Sequence, residues 1–204
     1  MKSEISSWLI FRLLLRPAGV FEELSETRPD PHVIFFKYLV TLALVPPVFS
    51  YIGAANFGWR IGAAQPVYLA GGDLVIMSII YFFVLLFGFV STAMVARWMA
   101  ATYGARQSLG IHFAMVVIVA APLVAGSVIH LFPHIFINVL VLIPTLMWSM
   151  FLLYRGLPVV LKISHERGML MASALIGYLL VAAVSFLGLT VALWGRGIGP
   201  SIGV

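Results

Sequence analysis

The residues with the most metal-like spacing in this chain are His130 and His134, four positions apart. On one continuous helix this spacing would place both imidazoles on the same face, where they could bind a metal ion. Pro133 lies between them, which indicates a turn, and no glutamate stands there as a zinc protease would require. We therefore expect an interfacial, hydrogen-bonded pair. We expect no catalytic residue, no metal and no cofactor.

Four prolines lie near the middle of long apolar stretches: Pro46, Pro47, Pro122 and Pro144. A proline inside a helix removes one N–H donor and frees the carbonyl four residues earlier. In hydrocarbon that carbonyl must meet another helix, water or an ion. Two interpretations stay open. Either the prolines only shape helix packing, or they line a cavity together with the polar Asn138, as broken helices do in transporters.

Small residues recur at a spacing of four, which is typical of contacts between membrane helices. The pairs are Ala121 with Ala125, Ser173 with Gly177, and Gly188 with Ala192. This pattern predicts close packing of helices within one chain or between two copies.

These residues lie on five long apolar blocks, and the composition agrees: 62% of residues are hydrophobic, 9% are charged and the mean hydropathy is +1.10. The blocks are Val33–Ala54, Leu74–Ala96, Ile111–Leu131, Ile135–Tyr154 and Met169–Trp194. A helix needs about 20 residues to cross a hydrocarbon core of about 30 Å. The sequence therefore predicts an all-α, polytopic membrane protein with five transmembrane helices.

The basic residues are distributed unequally between the two sides of these predicted helices. One side holds Lys2, Arg12, Arg16, Arg28, Arg97, Arg106, Arg155, Lys162 and Arg167, and the other holds Arg60 and Arg196. Positive charge marks the cytoplasmic side. We expect a multi-pass protein of the bacterial inner (cytoplasmic) membrane, with a cytoplasmic N-terminus and a periplasmic C-terminus. The net charge of +5 is assigned to topology, so nucleic acid is not expected as a partner.

The N-terminal segment, residues 1–32, is predicted to begin with an amphipathic helix in the membrane interface. Arg12 and Arg16 are four apart and share one face, while Trp8 and Phe11 belong to a wide apolar arc. These four residues are the predicted interfacial anchor. The acidic stretch that follows, residues 21–30, is expected to be a short solvated helix or turn.

Two further divisions complete the predicted organisation. Residues 33–195 form the five-helix membrane domain, and residues 196–204 form a short outer tail. The zero cysteine count excludes disulfides and thiol nucleophiles. The chain has no phosphate-binding loop, no nucleophile elbow and no zinc-protease motif.

Four short stretches share a pattern with one family: Arg16–Phe21, the run from Arg28 through Gly62, Leu153–Pro158, and the end of the last block at Leu193–Gly195. Together they resemble the Yip-domain (Ypt-interacting protein) family, in particular its small bacterial branch. The resemblance implies a five-helix membrane domain with a cytoplasmic N-terminus. Eukaryotic members are associated with Rab-type GTPases and vesicle trafficking. This chain lacks their Asp-Leu-Tyr-Gly-Pro motif and long N-terminal region, so GTPase recruitment is not carried over.

Two functions follow as hypotheses. The first is a non-enzymatic inner-membrane protein that acts through helix packing with membrane lipids, with a second copy, or with another membrane protein, in a membrane-organising or trafficking-like role. The second is a small transporter or channel for a solute, an ion or a lipid, which would use the proline-kinked first, third and fourth helices.

Overall fold

A computed structural model describes residues 17–60, 62 and 65–196 of the chain. The described residues form six helices: α1 (Pro17–Glu26), α2 (Pro31–Phe57), α3 (Gly71–Thr102), α4 (Leu109–Leu131), α5 (Ile135–Leu161) and α6 (His165–Trp194). Helices α2 to α6 are each long and apolar enough to cross a membrane. The predicted all-α fold with five membrane-spanning helices is confirmed. The predicted interfacial helix, with Trp8, Phe11, Arg12 and Arg16, lies outside the described residues.

Helices α2 and α6 begin before the predicted apolar blocks, at polar residues that cap them. The Asp30 side chain accepts a hydrogen bond of 2.8 Å from the His32 N–H at the start of α2, and Ser164 caps α6 in the same way. Lys162 ends α5 in a left-handed conformation, with φ of 55°. The sequence of apolar residues alone does not show these caps, so the predicted ends fall short.

Successive helices run in opposite directions and give the bundle two ends. We call one the basic end; it holds α1 and the α3–α4 and α5–α6 connections, with Arg97, Arg155 and Lys162. The other, the hairpin end, holds the α2–α3 and α4–α5 connections. The two connections there are joined, because the Arg60 N–H donates 2.9 Å to the Pro133 carbonyl and the Ile135 N–H donates 3.2 Å to the Arg60 carbonyl.

Helices α2 and α4 are parallel and in close backbone contact at both ends. At the basic end, a Cβ added to Gly110 would collide with the Pro29 carbonyl oxygen. At the hairpin end, a Cβ added to Gly53 would collide with the His130 carbonyl oxygen. Glycine at these two positions therefore lets the backbones approach more closely than any other residue would allow.

Helix α1 packs against the basic end. Its Val20, Phe21 and Leu24 are buried and belong to the hydrophobic core. The Phe21 ring lies against Gly156 of α5, where an added Cβ would also meet Met115 of α4. The expected short helix is present, but it is solvated on one face only, because the other face is docked on the bundle. The three apolar residues share one face of α1 and leave the glutamates on the other face.

The first turns of α2 contain a π-helical segment, Ile34–Leu39. A π-helix takes more residues per turn than an α-helix, so residues five apart come to lie near one face. Ile34 and Leu39 are five apart and both fully buried, whereas Phe36 between them is 68% exposed. The segment therefore keeps both aliphatic side chains in the core.

Candidate functional site

The four predicted prolines differ in how far they are exposed. Pro46 and Pro47 are buried, Pro122 is partly buried, and Pro144 is exposed on the outer surface of α5. Neither of the two cavities described below is lined by a proline or by Asn138. The role of the prolines, in helix packing or in lining a cavity, stays a prediction.

Asn138 and His130 form a polar cluster at the hairpin end. The Asn138 side-chain oxygen is hydrogen-bonded to His130 Nδ1. The Asn138 amide nitrogen donates 2.8 Å to the Phe132 carbonyl and 3.0 Å to the His134 carbonyl. Asn138 is 6% exposed, and all its polar atoms are satisfied. This cluster stabilises the α4–α5 turn, because the Asn138 side chain is hydrogen-bonded to three residues of the turn: His130, Phe132 and His134.

This network fixes the tautomer of His130. Because both Asn138 amide hydrogens point at backbone carbonyls, its side-chain oxygen must face the ring and accept from Nδ1–H. In the neutral imidazole the other nitrogen, Nε2, is then the acceptor. The two histidines therefore differ: His130 is oriented by a side chain, while His134 Nδ1 is buried with no hydrogen-bond partner among the described residues.

A cavity of about 360 Å³ lies beside this cluster at the hairpin end. It is lined by Ser50 of α2, by Trp59 and Leu69 of the α2–α3 connection, by Leu74, Met77, Ser78 and Tyr81 of α3, and by His130. We call it the hairpin-end cavity. Its lining combines apolar side chains with hydroxyl and imidazole groups and includes no charged residue.

A second cavity, of about 310 Å³, lies at the basic end. Met94, Arg97, Trp98, Ala101 and Leu109 line it. Trp98 is 74% exposed beside Arg97, an arrangement typical of residues at a membrane interface.

The predicted packing residues are placed in several different environments. Ala121 is buried in α4, and Ala125, four residues later, is exposed. The Ser173 hydroxyl lies 2.9 Å from the Tyr154 hydroxyl of α5. Gly177, Gly188 and Ala192 are exposed on α6, and a Cβ added to either glycine would meet nothing within 4 Å.

The buried residues of helix α6 all lie in its first part. Its buried residues are Gly168, Met171, Ala172 and Leu175, and from Leu179 onward most side chains are exposed. Gly177 and Gly188 share one face, since eleven residues make slightly more than three full turns. That face is turned by about 140° from Ala172, which is buried. We call it the outward face of α6; it comprises Gly177, Val181, Val184, Gly188 and Ala192.

One ion pair joins α1 to the end of α5. Lys162 Nζ lies 2.7 Å from a Glu26 carboxylate oxygen. The hydrogen bond from Lys162 and its positive charge together lower the pKa of Glu26 below its ordinary value. Both side chains are exposed to solvent, so the pair positions α1 more than it stabilises the protein.

Sequence reasoning missed the glycines that make the closest contacts. Gly53, Gly110 and Gly156 lie against backbone or side chains of other segments, and Gly126 lies against Thr145 of α5. Gly53 and Gly126 lie inside predicted apolar blocks, whereas Gly110 and Gly156 lie just outside them. None of the four belongs to a pair of small residues that the spacing singled out. Their contacts depend on which helices are neighbours, which spacing within one helix does not specify.

Six helices, five of them membrane-length, and two polar ends define a multi-pass helical membrane protein. Comparison with known proteins narrows this class. A model of the Yip1 domain matches residues 11–186, so the chain belongs to the Yip1 domain family. The expected family and fold are confirmed.

Two relatives carry the name inner membrane protein YohC, one from Escherichia coli strain K12 and one from Escherichia coli O6:H1. Each is 29% identical to this chain over 163 residues, which cover 80% of this chain and 84% of the relative. No solved structure matches the chain. The expected multi-pass, inner-membrane localisation agrees with these relatives, and the Yip1 domain family has no known enzymatic activity.

Proposed function

We propose that this protein is a non-enzymatic inner-membrane protein that acts by lateral packing in the bilayer, with α6 as the contact helix. The observation that supports this proposal is the outward face of α6. Gly177 and Gly188 leave open space on a helix face that is turned away from the bundle. Small residues on such a face let a second membrane helix approach closely.

The occupant of this face is proposed to be another membrane helix, from a second copy or from a different membrane protein. Val181 and Val184 lie between the two glycines and are each 68% exposed. Alternating small and β-branched side chains form a shallow groove with ridges, which suits dispersion contacts between helices. Lipid covers the same face in the absence of a partner.

The test is association of the full chain in vesicles, measured by energy transfer between labelled copies. The double variant Gly177→Leu, Gly188→Leu should weaken association about tenfold, because the larger side chains separate the helices. The matched control is Gly88→Leu in α3, another glycine with open space around it. Association that persists in the double variant would refute the proposed face.

Association of the purified chain with itself would identify a second copy as the partner. If the purified chain stays monomeric, cross-linking from an α6 position in native membranes should recover another integral membrane protein, and Gly177→Leu should abolish that cross-link. If neither self-association nor such a cross-link is detected, lipid alone covers this face, and lateral packing is refuted.

The proposed orientation places the basic end in the cytoplasm, because it holds most of the lysine and arginine. The absence of cysteine makes the test direct. In spheroplasts, a membrane-impermeant maleimide should label a Gln65→Cys variant at the hairpin end and leave a Glu166→Cys variant at the basic end unlabelled. The reverse pattern would overturn the orientation.

A further inference from the structure

Two residues that line the hairpin-end cavity, His130 and Ser78, can each accept a hydrogen bond. His130 lines the cavity, and its Nδ1 is used on Asn138, which leaves Nε2 as the ring acceptor. Ser78 also lines the cavity, and its hydroxyl donates 2.9 Å to the Leu74 carbonyl, which leaves its oxygen to accept. Both groups are therefore arranged to receive a proton donor.

With α3 centred across the hydrocarbon core, the cavity falls at the depth where lipid head groups meet the hydrocarbon. Helix α3 has 32 residues and is about 48 Å long at 1.5 Å per residue, whereas the hydrocarbon core is about 30 Å. About 9 Å of each helix end therefore lies outside the core. Leu74 to Tyr81 lie between about 5 and 15 Å from the start of α3 and so cross this boundary.

The remaining lining groups suit an amphiphilic ligand. Leu74 and Met77 provide apolar contact, while Trp59 and Tyr81 place amphipathic rings at the boundary. Arg60 follows Trp59 in the chain, is exposed, and adds positive charge at this end of the bundle. A lipid phosphate outside the cavity would lie near the positive charge of Arg60. The head group attached to that phosphate would then enter the cavity and reach His130 and Ser78.

We infer that the hairpin-end cavity binds the head group of a phospholipid that donates hydrogen bonds, through an amine or a hydroxyl, to His130 Nε2 and Ser78 Oγ. Phosphatidylethanolamine carries N–H donors and phosphatidylglycerol carries O–H donors. Phosphatidylcholine carries a quaternary ammonium without a donor, so it fills similar space without the hydrogen bonds. This site is separate from the outward face of α6 and does not depend on it.

The experiment titrates the delipidated full chain in detergent with each of the three lipids, matched in acyl chains, and counts bound lipid by native mass spectrometry. Phosphatidylethanolamine or phosphatidylglycerol should bind about threefold to tenfold more tightly than phosphatidylcholine, as expected for one or two hydrogen bonds. The stronger of the two identifies the donor as amine or hydroxyl. Equal binding of all three lipids would overturn the inference.

Two pairs of variants locate the effect. His130→Phe should remove the preference, and His134→Phe, which alters a histidine that does not line the cavity, should keep it. If His130→Phe does not fold, Ser78→Ala replaces it, with Ser91→Ala as its control. Ser91 makes the same kind of bond within α3, to the Gly88 carbonyl, away from the cavity. A preference that survives both cavity variants, or is lost equally in the controls, would refute the site.

Discussion

The glycines of the packed core and the glycines of α6 occupy opposite environments. At Gly110 and Gly156, an added Cβ would collide with the Pro29 carbonyl or with the Phe21 ring. At Gly177 and Gly188 it would meet nothing within 4 Å. The core therefore uses glycine to complete contacts within one chain, whereas α6 keeps glycine where this chain makes no contact. One residue type serves internal packing in the first region and an open surface in the second.

The contrast extends to how much of each helix is buried. Over an apolar stretch of 18 residues in α4, 39% of the residues are buried. Over the corresponding stretch of α6, 6% are buried. In a membrane, apolar side chains gain little by leaving lipid, so close packing of small residues decides which helices associate. Helix α4 has its neighbours within the chain, and α6 is available to a partner along most of its length.

The largest expected effect comes from removing the aromatic side chain that docks α1. Phe21→Ala should lower the free energy of unfolding by about 3–5 kcal/mol, because it leaves a cavity against Gly156 and Met115. The check is the thermal unfolding midpoint in detergent, which should fall by about 10 °C. Phe83→Ala on α3, where the ring is 60% exposed, is the control and should change the midpoint little.

A smaller loss is expected from adding one methyl group at the α2–α4 contact. Gly110→Ala should cost about 1–3 kcal/mol, because the methyl group meets the backbone at Pro29, which cannot rotate away. Denaturant titration of the purified protein measures this loss. Gly88→Ala, made in open space on α3, should stay within about 0.5 kcal/mol of the parent protein. Equal effects at the two positions would contradict the close approach of α2 and α4.

The same methyl group on α6 tests the other half of the comparison. Gly177→Ala should leave the stability of the monomer in detergent within about 0.5 kcal/mol, because its surroundings are open. Denaturant titration at high detergent-to-protein ratio gives the monomer value. A loss as large as that of Gly110→Ala would mean that this face is packed within the chain, and the distinction between the two regions would fail.

The smallest effect belongs to the ion pair that joins α1 to the end of α5. The folded-state pKa of Glu26 is below the ordinary 4.5, so its contribution is present above pH 4.5 and is lost as pH falls through the lowered value. Proteolysis of α1 should be slightly faster in Glu26→Gln than in the parent protein at pH 7. At lower pH, with a protease active there, the two rates should converge. A difference that is unchanged at low pH would assign the effect to something other than charge.

Much of the fold could be predicted because the membrane constrains it strongly. In hydrocarbon, a run of about 20 apolar residues can form few structures other than a helix. The apolar block Ile135–Tyr154 therefore predicted the start of α5, although the helix continues to Leu161. Residues outside the hydrocarbon lack this constraint. Helix α1 was expected to be solvated because its glutamates dominate the composition, although Val20, Phe21 and Leu24 share one face.

The candidate site could be predicted only in part, because its contacts cross a turn. His130 and His134 attracted attention by their helical spacing, yet His130 pairs with Asn138, eight residues away. That pairing depends on the 3-10 helix at Ser127–Leu131 and on the turn at Pro133, neither of which periodicity shows. The open surroundings of Gly177 and Gly188 were likewise beyond prediction, because exposure depends on where α6 leaves the bundle.

The π-helical segment Ile34–Leu39 also determines where this helix tolerates a change in length. A π-turn holds one residue more than the α-helical turn it replaces, so removing Phe36 would return the segment to α-helix while the flanking turns keep their faces. Removing one residue from the middle of α3 would instead rotate everything after it by about 100°. The start of α2 is thus a place where the helix can lose one residue while the turns that follow keep Gly53 on the same face.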